Sequence, residues 1–217
     1  KDIKGTNRLV LNADDRPLLC EDKVRVIGDP VAVVAAECRE TARAAAQKVK
    51  VKYEQLPVMH TTEDSLAKDA VQIHDDRPNL FYTQPQIKGD AAKALNESEA
   101  VVQAHFKTQI NHQAPLEPEA SLAYLLEDED EDKLVVVGRS INIHKHLQTL
   151  QDALGYENIR YEEAVSGGQF GMKVEISSEG MAAAAALKFK RPIRYVPSLD
   201  ESMQMTPKRH PYEMDVK

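Results

Sequence analysis

An α+β fold is predicted for this 217-residue chain, on three observations. Val49-Lys50-Val51-Lys52-Tyr53-Glu54 alternates apolar with charged residues, the period of a strand buried on one face. Arg39 to Lys48 is rich in alanine, arginine and glutamate, which favour helix. Gly167-Gly168-Gln169-Phe170-Gly171 lies between a strand-like run (Ile159 to Val165) and a helix-like run (Ile176 to Lys188), so strand and helix alternate again near the C-terminal end.

In chain order, the first elements are Val24–Ile27 and Val31–Ala36, β-rich runs separated by the turn signal Gly28-Asp29-Pro30. With the Arg39–Lys48 helix and the Val49–Glu54 strand they form a strand–turn–strand–helix–strand module within residues 1–60. Residues 61–88 lack periodicity and carry Pro78, Asn79 and Pro85, the composition of a connector. A second domain is expected over 89–217. It opens with a short helix (Asp90 to Leu95) and a long alternating strand (Ala100 to Ile110). Strands at Ser121–Leu126 and Lys133–Gly138 follow, then a helix around His144–Leu154, the Ile159–Val165 strand, the alanine-rich helix and a strand at Ile193–Val196. Ala182–Ala186 thin that helix for close packing on a sheet, and Arg191-Pro192 stops it. Tyr212–Lys217 reads as a strand without a partner, and the chain as a piece of a longer one.

Composition excludes several functions. The hydrophobic share of 42% suffices for a core, and a net charge of −7 with no Lys/Arg cluster argues against nucleic acid. No apolar run is long enough to span a membrane. The acidic run Glu127–Asp132 lacks the interspersed glycine of a calcium loop and reads as a solvated hairpin connection. Cys20 and Cys38, without a Cys-x-x-Cys pair, provide neither an iron–sulfur nor a zinc site. His144 and His146 would diverge by roughly 200° on a helix, so a cap or surface role is expected rather than a metal pair.

The glycine loop is the main chemical signal. Three glycines in five residues permit a sharp bend and close approach to a ligand, and a helix opening directly afterwards would direct unpaired amides at an anion. The spacing is neither that of a P-loop nor of a dinucleotide fingerprint. A plain strand-to-helix turn therefore stays open. Phe170 has no use in a phosphate cradle but suits the wall of a pocket for a flat cofactor or organic substrate.

Cys20 to Pro57, with Asp22-Lys23-Val24, Ile27-Gly28-Asp29, Ala42–Ala46 and Val51–Pro57, resembles the α/β-hammerhead domain of the xanthine oxidase / aldehyde oxidoreductase family. Ala114-Pro115-Leu116-Glu117-Pro118, Gly167–Lys173 and Lys208-Arg209-His210-Pro211, in that order, resemble the start of the same family's molybdenum-cofactor-binding region. The resemblance implies a hammerhead module followed by part of a mixed α+β molybdopterin-binding domain. It further implies oxidation of aldehydes to carboxylic acids with water as the oxygen source.

On this resemblance, Gly168, Gln169, Phe170 and Gly171 contact the pterin of a molybdopterin cofactor in its cytosine dinucleotide form. Phe170, Met172, Val174 and Asn142 border the substrate. Purine-oxidising members carry a glutamate where Val174 stands, which favours aldehydes here. Asn142 replaces the family's glutamine or glycine and is equally readable as a turn residue. Glu117 reads as a brace for backbone amides, His210 as a brace behind the site, and Arg209 as a partner for cofactor charge or for an acidic neighbour. The catalytic glutamate of the family has no counterpart, so the chain alone is expected to be inactive and no residue is assigned a catalytic role. Implied partners are an aldehyde substrate, iron–sulfur clusters on another domain or subunit, and a homodimeric parent. The compartment reads as cytoplasmic, with the periplasm as the alternative. A non-catalytic scaffold of the same fold, or a hydroxylase of purines or other N-heterocycles, remain the competing readings.

Overall fold

A computed structural model describes residues 2–9, 16–127, 129 and 132–217. Its elements are α1 (Arg39–Ala46), α2 (Thr62–Leu66), α3 (Ala91–Glu97), β1 (Ala104–Lys107), β2 (Ser121–Leu126), β3 (Lys133–Gly138), α4 (Ile143–Leu154), β4 (Ile159–Glu163), a 3-10 turn (Met172–Val174), α5 (Ser177–Phe189), β5 (Ile193–Tyr195), α6 (Leu199–Met205) and β6 (Glu213–Val216). Helices and small sheets are mixed, the α+β class expected. Chain contacts divide them into two compact units, residues 1–50 with 111–209 and residues 51–110 with 210–217.

The larger unit is built on a four-stranded sheet in the order β4-β3-β2-β5. The β2–β3 pair is antiparallel, with Leu126 opposite Lys133, as a hairpin requires. Of the acidic run joining them, Asp128, Asp130 and Glu131 lie outside the described residues. β3 and β4 are parallel. Parallel neighbours need a crossover connection rather than a tight turn, and α4 supplies it.

The alanine-rich α5 packs across β2, β3 and β5. Ala182, Ala183 and Ala186 are fully buried there, and Leu18, Leu134, Val136, Leu150, Ile176 and Met181 complete the core. Small side chains let the helix axis approach the sheet, so the thin waist read from the sequence is the packing surface.

The smaller unit holds α2, α3 and the antiparallel pair β1–β6, with Ala104 opposite Val216. Two expectations are corrected here. The C-terminal strand has a partner, β1. The strand expected over Ala100–Ile110 is a ladder only over Ala104–Lys107, because pairing extends no further than the four residues of β6. α2 opens with a reciprocal capping box between Thr61 and Asp64, which explains a helical turn inside a stretch expected to be irregular.

A third correction concerns Val24–Ile27, Val31–Ala36 and Val49–Glu54. They form no strand among the described residues, although α1 sits where the pattern placed it. Asp29 Oδ2 accepts the N–H groups of Arg25 (2.9 Å) and Val26 (3.2 Å), and Cys20 N–H donates to the Pro30 carbonyl at 2.7 Å. Local side-chain bonds thus take amides that a ladder would use.

Candidate functional site

β4 ends at Glu163, and the chain enters the glycine loop with left-handed backbone at Gly168 (φ 96°), Phe170 (φ 50°) and Gly171 (φ 89°). Glycine reaches this region freely, whereas a residue with a Cβ is held there at a cost of about 1–2 kcal/mol. Phe170 is therefore a strained position. Met172 N–H donates to the Gln169 carbonyl at 2.8 Å and closes the bend.

The helix expected from Ile176 is present from Ser177, but it does not open directly on the loop. A 3-10 turn over Met172–Val174 and the extended Glu175 intervene before α5 begins at Ser177. The loop consequently presents its own amides rather than the end of a helix dipole. The N–H groups of Gly168, Gln169, Phe170 and Gly171 donate to no protein acceptor among the described residues. The Phe170 ring is 74% exposed, and a Cβ built on Gly168 would lie 3.2 Å from its Cε2 and 3.7 Å from Pro115 Cβ. Ring, loop and the Ala114–Pro118 segment are thus adjacent.

Beneath the loop sits Glu117. Its Oε2 accepts the Gly167 N–H at 2.6 Å and the Lys173 ammonium at 2.7 Å, while its Oε1 accepts from the Arg139 guanidinium. Lys173 is buried, with 4% of its surface exposed. Arg139 above all, with Lys173 and the Gly167 amide, holds the Glu117 carboxyl down at about 2 against the opposing effect of burial. Of the backbone amides that Glu117 is expected to brace, one is bonded to it, that of Gly167, and two cations join it.

The remaining expected site residues are distributed as follows. Met172 is in the interior, 1% exposed, behind the loop. Val174 is half-buried, and its carbonyl accepts from His146 Nε2 at 2.9 Å. Asn142 caps α4 by accepting the Lys145 N–H at 3.2 Å, and hydrogen-bonds no loop residue among the described ones. His146, expected at a helix surface or cap, is instead buried against Tyr161, 6.2 Å between ring centroids, and burial lowers its pKa. His210 and Arg209 are exposed, with the Arg209 backbone bridged to Asn111.

Sequence reasoning missed Gln113, Arg139 and the pairing of Lys173 with Glu117. Gln113 precedes the Ala114–Pro118 motif, and its Oε1 is buried without a hydrogen-bond partner, as is that of Gln169. The available signal was position, since both glutamines adjoin motifs already singled out. No helix among the described residues is long and apolar enough to cross a membrane, and no cluster of three or more His, Cys, Asp or Glu side chains is arranged for a metal ion.

Residues 73–217 match the molybdopterin cofactor-binding domain, and residues 1–57 match the aldehyde oxidase and xanthine dehydrogenase a/b hammerhead domain. The chain belongs to the aldehyde oxidase and xanthine dehydrogenase family. It is 34% identical to aldehyde oxidoreductase of Megalodesulfovibrio gigas, covering all of this chain and 25% of that protein. The nicotinate dehydrogenase large molybdopterin subunit of Eubacterium barkeri is 32% identical, with 99% and 50% covered. Among solved structures, aldehyde oxidoreductase from Desulfovibrio gigas superposes with a TM-score of 0.87 at 32% identity, over 99% of this chain and 25% of that one. The chain thus spans a quarter to a half of these relatives' length. Family members are molybdenum-dependent oxidoreductases of several domains or subunits, and the glycine loop falls inside the cofactor-binding match.

Proposed function

We propose that the protein carrying this chain oxidises aldehydes to carboxylic acids, and that the chain supplies one wall of the cofactor and substrate site. The observation carrying this is the loop itself: four amides without acceptors and an exposed aromatic residue on strained backbone in one short bend. Strain held at a surface position is characteristic of functional sites.

The residues present fit a molybdopterin. Buried Oε1 atoms of Gln113 and Gln169 lack donors, and a pterin edge carries N–H donors; the free loop amides suit its acceptors. The cofactor, when bound, supplies oxygen transfer from water and takes up the two electrons. The chain's own residues bind and orient. Gly168–Gly171 hold the cofactor edge through backbone, Phe170 covers an organic substrate, and Val174 leaves no hydrogen-bond partner for a purine ring. We further propose the cytosine dinucleotide form of the cofactor, iron–sulfur clusters elsewhere in the parent and, for Asn142 and Met172, places at the substrate's border. Apolar Val174 favours an aldehyde, since a site built to recognise a polar ring discriminates by as much as about 10⁴-fold.

The test is oxidation of benzaldehyde and xanthine by the full-length protein with an artificial electron acceptor. Molybdenum-dependent turnover of benzaldehyde well above xanthine is expected. Full activity after metal removal, or preference for xanthine, would overturn the reading.

A further inference from the structure

We infer that Glu117 is a positioning residue: one carboxylate that clamps the glycine loop shut and registers it against the exit of β3. Three segments meet on it. The carboxylate comes from Ala114–Pro118, Arg139 from the end of β3 just before Ser140-Ile141-Asn142, and Gly167 and Lys173 from the two ends of the loop. Both loop ends bond to the same oxygen, Oε2, so the span between them closes on a single atom.

Each partner is itself fixed. Arg139 donates from Nη1 to the Ala120 carbonyl at 2.7 Å, and its backbone N–H donates to Glu179 Oε1 at 3.2 Å. Lys173 is buried and has no other partner among the described residues. Gly167 is required for the approach, because an added Cβ would sit 2.9 Å from Glu117 Cβ. A second tie, His146 to the Val174 carbonyl, anchors the chain just past the clamp. The amides of 168–171 are therefore presented in one shape by contacts beneath the loop, before any ligand arrives. Such preorganisation removes the ordering cost from the binding step.

This rests on the reading of the loop as a cofactor and substrate contact, and the test separates the two. In the 217-residue chain, ¹⁵N relaxation is measured for Gly168–Gly171 and hydrogen exchange for the Gly167 and Met172 amides. The variants are Glu117→Gln, Glu117→Asp and the double Glu117→Gln/Lys173→Met. Glu117→Gln is expected to lower the loop order parameters from about 0.85 to below about 0.6, and to speed Gly167 and Met172 exchange at least tenfold. The β2–β4 amides should keep their protection. Glu117→Asp, charged but one methylene shorter, should be intermediate. The double variant removes the stranded ammonium, so it should regain stability while its loop stays mobile. A loop that remains rigid in the double variant overturns the proposal, as does loss of sheet protection in parallel with the loop in every variant. If the loop loosens while KM and kcat of the loaded full-length Glu117→Gln protein are unchanged, the positioning role stands and the site reading falls.

Discussion

Replacing Gly171 and Gly168 separately by alanine probes the bend with a magnitude that can be worked from its geometry. Gly171 has φ 89° and ψ −3°, and a Cβ placed there would find only Gln113 Nε2, at 3.8 Å. Space is not limiting, so the cost is backbone strain of about 1–3 kcal/mol. Alanine also narrows the unfolded ensemble, which returns about 0.4–1 kcal/mol. Gly171→Ala should therefore destabilise by about 0–2.6 kcal/mol, with a centre of about 1 kcal/mol. At Gly168, with φ 96°, the same strain applies, but the new methyl would press the Phe170 ring at 3.2 Å. The ring is exposed and can swing away, so the added cost should stay below about 1 kcal/mol, while the ring's position should change. Urea unfolding measures the first effect, and ring proton shifts of Phe170 measure the second. A clearly stabilising Gly171→Ala would refute the left-handed bend. An unmoved Phe170 in Gly168→Ala would refute the contact between ring and turn.

Two groups should shape stability in acid, in separable ranges. Burial lowers His146, so the folded state takes up fewer protons there, and stability should begin to fall as pH drops below the ordinary imidazole value of 6.5. Glu117 is depressed from 4.5 to about 2, so its contribution is complete above pH 4.5 and is lost as pH falls through about 2. Glu117→Gln should reduce the second slope in a urea series at graded pH, to which other depressed carboxyls such as Glu21 and Glu213 also contribute, and leave the first. Ala183→Leu on the sheet side of α5 should overpack the core by about 1–3 kcal/mol, read as a lower Tm, since Ala183 is fully buried. Val174→Glu in the full-length protein should raise xanthine turnover relative to benzaldehyde; an unchanged ratio would remove Val174 from the specificity argument.

How far the sequence carried the reading differs between regions for physical reasons. β2, β3, α4, β4, α5 and β5 lie within a residue or two of where the sequence pattern put them, because each packs in or against a shared core. Local pattern and tertiary packing agree there. Val24–Ile27 and Val31–Ala36 have strand composition too, but strand propensity reports fitness for a pleated neighbour, and the described residues offer them none. Conversely, Tyr212–Lys217 reads as unpartnered in the sequence because β1, its partner, lies about a hundred residues away, and no local pattern encodes such a pairing.

The candidate site divides in the same way. By itself, the sequence determined that a glycine-rich bend carrying an aromatic would follow β4, because glycine and phenylalanine impose their backbone and shape wherever they stand. It also determined that Val174 is apolar and that Glu117 lies in Ala114–Pro118, a segment singled out by its resemblance to the family. Only the tertiary structure decided that Glu117, Arg139, Gly167 and Lys173 converge, that the helix begins too late to address the loop, and that His146 is buried. Those outcomes depend on distances between segments far apart along the chain, and charge pairing is felt only once folding has brought the charges together.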